Sequence, residues 1–236
     1  MNKTIQSIRE ELKRNADVKS YQSFQRFFKE EVTFYGVKTG VVSKIAKKYW
    51  YEVEKTGKVK IFKLCEELYK SDYCEEAFIV SWWVPNLIDE FTLNDLPLFR
   101  KWIEKYINNW AKCDGFCNHS IGGMIEKYPE CIDEIKNWAK SNNRWMKRAS
   151  AVSFIIPAKK GKFLKDVFEI SDMLIQEKDD MVQKGYGWLL KEASRLNQKE
   201  VFDYVISKKK IIPRTAFRYA IELMPEKLKA IAMKKD

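Results

Sequence analysis

The chain has 236 residues, 45% of them apolar, and 44 Lys+Arg against 33 Asp+Glu give it a net charge of +11. That length supports a sizeable core in one large or two small domains, and we read it as a single domain over 1–236. With only 9 Gly and 6 Pro and no long uncharged apolar run, the composition argues against a turn-rich sheet protein and against a membrane-spanning helix.

The predicted elements are all helices. Over 4–15, Ile5, Ile8 and Leu12 recur at helical spacing with Arg9, Lys13 and Arg14 on other faces, the pattern of a one-sided amphipathic helix. A second helix is expected over 20–29, including Phe24, Phe27 and Phe28. Residues 32–40 read as a loop turning at Gly36, with Thr39 as N-cap of a helix over 41–53. Helices follow over 59–69, 75–89 and 96–107, the second of them breaking near Pro85. The stretch 109–112 is ambiguous; a helix over 115–128, with Asp114 as its N-cap, ends before Pro129. Next come 130–140, then 144–156 stopping at Pro157, and after Gly161 the segments 163–176, 180–196, 199–208, 214–223 and 225–233. Short helices in pairs, recurring at roughly 35 to 40 residues, fit a globular bundle or a stack of HEAT-type repeats.

The charge is uneven. Residues 144–236 carry 21 Lys+Arg against 12 Asp+Glu, whereas 1–143 carry 23 against 21. Such an asymmetry is the electrostatic footprint of a polyanion partner, nucleic acid first and an acidic membrane or protein next. The first residues turn charged at once with no apolar signal core, so a cytoplasmic protein is expected. Five cysteines, an odd number, favour reduced thiols over a disulfide framework. Cys113, Cys117 and His119 resemble half of a metal site, but no second cluster follows and no other histidine is present, so neither a metal nor a cofactor is expected.

Three places combine residue types that suit a cationic sugar beside phosphates. In the segment around Trp188, Val182, Tyr186, Leu189 and Ala193 form an apolar stripe, and Lys184, Trp188, Lys191 and Arg195 share another face. Trp188 there is either a cover for core surface or an aromatic platform in a polyanion groove. In the next constellation, Trp145, Ala149, Val152 and Ile156 form a stripe bordered by Arg144, Lys147 and Arg148. Arginine can fork onto a phosphate; a solvated surface role is the plainer alternative. Asp114, four residues after Trp110, is either a simple helix cap or a carboxylate with chemistry to do, and the two are compatible.

Taken in order, Trp110-x3-Asp114, Tyr128-Pro129-Glu130, Arg144-Trp145-Met-Lys-Arg148-Ala149, Gln183-Lys184-x-x-Gly187-Trp188-x-Leu190-x-Glu192 and Arg218-Tyr-Ala220-Ile221 resemble the HEAT-like-repeat DNA glycosylases. The type resembled is alkylpurine DNA glycosylase D, within the DNA alkylation repair family. The resemblance runs over most of the chain. It implies an all-α, right-handed superhelix of about six HEAT-like helix pairs, whose concave basic face holds duplex DNA, and a monomer that excises N3- and N7-alkylated purines without metal or cofactor. Matched residue by residue, it makes Asp114 the catalytic carboxylate, Trp110 and Trp188 the aromatic contacts to the lesion's backbone, and Arg148 a phosphate contact. Lys147, Lys184, Arg214, Arg218 and Phe27 are expected as further DNA contacts. Phe27 stands where some relatives have tyrosine, Trp110 stands alone where relatives can show a tryptophan pair, and Gly40 replaces a common proline. Some paralogues bind branched DNA without excising bases, which supplies an alternative function. A helical scaffold for an acidic protein is a third reading, and it predicts no DNA binding at low salt.

Overall fold

The computed structural model describes residues 2–234, and every regular element among them is helical. The chain divides into two compact units, the first ending at Phe116 and the second beginning at Cys117.

The first unit contains α1 (Lys3–Arg14), α2 (Val18–Gln25), α3 (Thr39–Val53), α4 (Lys58–Tyr69), α5 (Cys74–Trp83), α6 (Leu96–Tyr106) and α7 (Trp110–Phe116). Its centre is α5, against which α3, α4 and α7 pack. The apolar stripe of α1 is wholly buried, as its spacing predicts. Two acids at the start of α5 are buried as well, and their partners shape the unit. Glu75 accepts hydrogen bonds from the backbone N–H groups of Tyr35, Gly36 and Val37 at 3.1, 2.9 and 3.0 Å. Glu76 accepts from the Arg9 guanidinium at 3.0 to 3.1 Å and from the Tyr35 hydroxyl at 2.7 Å. The α2–α3 connector is thereby tied to α5. Gly36 makes its turn with φ +90°, and a Cβ there would lie 2.9 Å from the Asp17 carbonyl, so this position requires glycine.

Two expected boundaries move. The helix predicted over 20–29 instead starts earlier, because Asp17 caps it through the Ser20 N–H at 2.8 Å, and it ends at Gln25. Phe27 and Phe28 then turn off through bonds to the Phe24 and Gln25 carbonyls, and the Phe28 ring packs against Phe34. Aromatic packing outweighs continuation of the helix. Thr39 is not an N-cap but the first residue of α3; Lys38 holds the cap position without a side-chain bond. Pro85 sits in the first turn of a 3₁₀ segment, Val84–Glu90, that takes over where α5 ends.

The second unit opens with a π-helical turn, Cys117–Ile121. It continues through α8 (Gly122–Lys127), α9 (Ile132–Asn137), α10 (Arg144–Val152), α11 (Ile155–Lys159), α12 (Leu164–Leu174), α13 (Asp180–Ala193), α14 (Gln198–Ser207), α15 (Arg214–Ala220) and α16 (Glu226–Met233). Helix α13 is its centre, packed by α10, α11, α12 and α15. Pro157 does not stop a helix as expected. The break falls at Ser153 and Phe154, and Pro157 lies in the first turn of α11, where a missing N–H costs little.

Gly187 sets the distance between α13 and α15. A Cβ there would lie 2.8 Å from the Tyr219 Cβ and 2.9 Å from the Ala216 Cα and carbonyl oxygen. Backbone cannot give way as a flexible side chain does, so Gly187→Ala is expected to destabilise the protein by about 1–3 kcal/mol despite alanine's better helix propensity. Urea denaturation measures the loss, and an unchanged midpoint would contradict this packing.

Candidate functional site

Helix α7 carries the carboxylate and the first tryptophan. The expected cap at Asp114 is corrected here: the helix begins a turn earlier, at Trp110, and Asn109 accepts from the Lys112 N–H at 3.0 Å. Asn109 is fully buried and also donates to the Cys74 thiol sulfur at 3.4 Å. With the cap supplied by Asn109, Asp114 lies within the helix, one turn beyond Trp110. The turn is clamped from below by Lys112, which is 1% exposed. Its ammonium donates to the Asp72 carbonyl at 2.8 Å, the Asp72 carboxylate at 2.6 Å and the Asn108 side-chain oxygen at 3.0 Å. All three ammonium hydrogens are thus engaged. Gly115 lets α7 lie close to α5, since a Cβ there would stand 3.1 Å from the Ser81 hydroxyl.

Trp110 is half-buried and stacks on Phe28, with ring centroids 5.3 Å apart and planes 20° from parallel. The two rings share a cleft of about 240 Å³ with Phe24, Phe27, Phe34 and Phe78. Phe27, one of the expected DNA contacts, is 68% exposed at this cleft. Asp114 is half-buried. Phe28 and Asn109 are the supporting residues that sequence reasoning missed. Only Asn109 left a signal: a residue type favoured at caps, three before Lys112.

In the second unit the α13 stripe of Val182, Tyr186, Leu189 and Ala193 is buried as predicted, and Trp188 is half-buried. The basic face around Trp188 differs from expectation because each of its cations has an acid beside it. Lys184 pairs with Asp180 at 2.8 Å, Lys191 with Glu222 at 3.2 Å and Arg195 with Glu192 at 2.5 Å. Lys147 likewise pairs with Glu177. The Lys184–Asp180 pair is part-exposed, whereas Glu192 is buried beside Arg195, so the cations of this face differ in how readily they could turn to a phosphate. Arg148 does not border its helix as expected. It is 5% exposed, donates to the Met181 carbonyl at the start of α13, and packs against Gly185, whose Cβ would lie 3.2 Å from the Arg148 Cγ. Arg214 and Arg218, one turn apart on α15, are exposed and join no ion pair among the described residues.

Glu192 links Trp188 to this charge pattern. Burial alone would raise its carboxyl, but the hydrogen bond and charge of Arg195, with a hydrogen bond from Trp188, hold it below the usual 4.5. A carboxyl depressed in the folded state contributes stability above its unfolded pKa and loses it as pH falls through the folded value. The melting temperature should therefore drop on acidification below about pH 4.5, and Glu192→Gln should flatten part of that slope. An identical acid profile for the variant would exclude the linkage.

Among the described residues no helix is long and apolar enough to cross a membrane, and no group of three or more His, Cys, Asp or Glu is placed to hold a metal ion. The architecture and these residues define an all-helical protein with a supported tryptophan–carboxylate helix in one unit and exposed arginines in the other. The chain belongs to the DNA alkylation repair enzyme family, whose model matches residues 8–224. No curated protein matches it. A solved structure described as "Predicted DNA alkylation repair enzyme from Enterococcus faecalis" is similar in fold, with a TM-score of 0.80 and 15% identity over 90% of this chain and 98% of that one.

Proposed function

We propose that the protein removes N3- and N7-alkylated purines from duplex DNA by hydrolysing the N-glycosidic bond. Alkylation leaves the purine cationic, so it departs with the bond's electron pair as a neutral base. Positive charge passes to the deoxyribose, water adds at C1′, and a proton is released. The carboxylate of Asp114 would stabilise the oxocarbenium-like sugar and orient that water. Trp110, one turn away on the same helix, would turn a ring face to the same cation, and Trp188 would contact the strand. Lys147, Lys184, Arg214 and Arg218 would meet phosphates and Phe27 the strand, with the helix pairs acting as HEAT-like repeats presenting a basic face.

The observation carrying this reading is the placement of Trp110 and Asp114 one turn apart on a helix that Asn109 and Lys112 hold by buried hydrogen bonds. A family match over 8–224 supports a role in DNA repair. Incubating the protein with methylated duplex DNA and measuring free N7-methylguanine and N3-methyladenine tests it directly. Base release supports the proposal; duplex binding without release overturns it.

A second reading keeps the DNA binding and lacks the excision chemistry. In that reading the protein binds branched or damaged DNA without excision. It would shift junction or flap DNA in a gel, with affinity falling steeply as salt rises, and would free no methylated base.

A further inference from the structure

The end of the second unit carries a groove of about 550 Å³ that the reading above does not use. It lies where the end of α14 and the turn that follows meet the end of α16. Ile206, Ile211 and Ile231 supply its apolar lining, Lys209, Lys210 and Lys234 its charge, and no acid lines it. Ile211 and Ile231 are each 50% exposed, whereas the neighbouring Ile212 is taken into the core. The groove is formed without a partner. Bonds from the Ile211 and Ile212 N–H groups to the Lys208 carbonyl, both 2.9 Å, close the turn. The Lys209 ammonium donates to the Lys234 carbonyl at 2.6 Å, which ties the turn to α16 and offsets the partial negative charge of that helix end. Lys208 is engaged elsewhere, with Asp172 at 2.8 Å. Lys210 and Lys234 are exposed and join no ion pair among the described residues.

We propose that this groove docks a short acidic segment of a partner protein, with large apolar side chains on Ile211 and Ile231 and carboxylates on Lys210 and Lys234. The charge is complementary, since the lining offers only cations to an anionic partner. A phosphate backbone would answer the two lysines but leave the isoleucines in water. A flat bilayer would touch the rims of a groove and not its floor. A peptide that alternates carboxylates with leucine, isoleucine or phenylalanine satisfies both requirements. The proposal goes beyond the DNA reading and does not depend on base excision.

The test uses the full chain and a synthetic peptide, Asp-Glu-Leu-Asp-Asp-Ile-Leu-Phe, carrying an uncharged fluorophore and titrated by anisotropy. The protein should bind it, and should not bind the same peptide with Asn and Gln for its acids or with Ser for its apolar residues. Lys210→Glu should weaken binding about 2- to 10-fold, and Ile231→Ser about 5- to 30-fold. Both positions are exposed, so both variants should keep the wild-type urea midpoint, and Ile231→Ser should keep the affinity for duplex DNA. Absence of peptide binding, or equal binding of the neutral peptide, overturns the proposal. Wild-type binding by Ile231→Ser overturns it as well, because the attraction would then be one of general charge. A matching loss of DNA affinity in Ile231→Ser would assign the groove to the DNA surface, and displacement of the peptide by phosphatidylserine vesicles would assign it to a lipid surface; either result overturns the peptide. Failure to release methylated bases leaves the groove proposal standing.

Discussion

Asp114→Asn should lower release of N7-methylguanine and N3-methyladenine by about a hundred- to a thousandfold, the usual loss when one preorganised group that stabilises developing charge is removed. DNA affinity should stay the same or rise, because the substitution removes a negative charge from the neighbourhood of phosphates. Asparagine preserves the shape of the side chain, and the helix start does not depend on it, since the cap is Asn109. Loss of activity would therefore report chemistry rather than unfolding. Single-turnover base release and a gel-shift titration together decide the matter; a variant with wild-type release would remove Asp114 from the reaction.

Arg9→Met should destabilise the first unit by about 3 kcal/mol, the lower part of the range for stripping one partner from a buried ion pair. Glu76 is fully buried, and the arginine bridges its carboxylate from α1 while the Tyr35 hydroxyl reaches it from the connector. Without the guanidinium, the remaining partner is a neutral hydroxyl, too weak to offset the desolvation of a carboxylate. Phe34 lies on the same connector as Tyr35 and packs against Phe28, which in turn stacks on Trp110. Base excision should therefore fall with stability. Adding Glu76→Gln should recover much of the loss, because the neutral side chain no longer needs the cation. Urea denaturation of the single and double variants measures the coupling; simple additivity would dismiss the ion pair as a structural tie.

The two variants probe features of different legibility. Periodicity alone identified the helices around Ile5, Ile8 and Leu12 and around Val182, Tyr186, Leu189 and Ala193, and these stripes are buried. Local signals misled at three boundaries. Asp114 before Gly115 has the form of a cap, but the buried Asn109 supplies the cap five residues earlier. Phe27 and Phe28 fit a helical stripe, but aromatic partners draw the chain off after Gln25. Pro157 was expected to end a helix and instead enters the first turn of a new one.

By itself the sequence determined the helical class, the order of most elements, the excess of positive charge in the C-terminal part and the residues that resemble a DNA repair family. These properties live in spacing and composition, which a linear chain displays. Only the tertiary structure decided that Trp110 rests on Phe28, that Lys112 is locked beneath its helix, and that Arg148 is buried against Gly185. Each depends on partners distant in sequence and on the free energy of burying a polar or aromatic group, which no local pattern records.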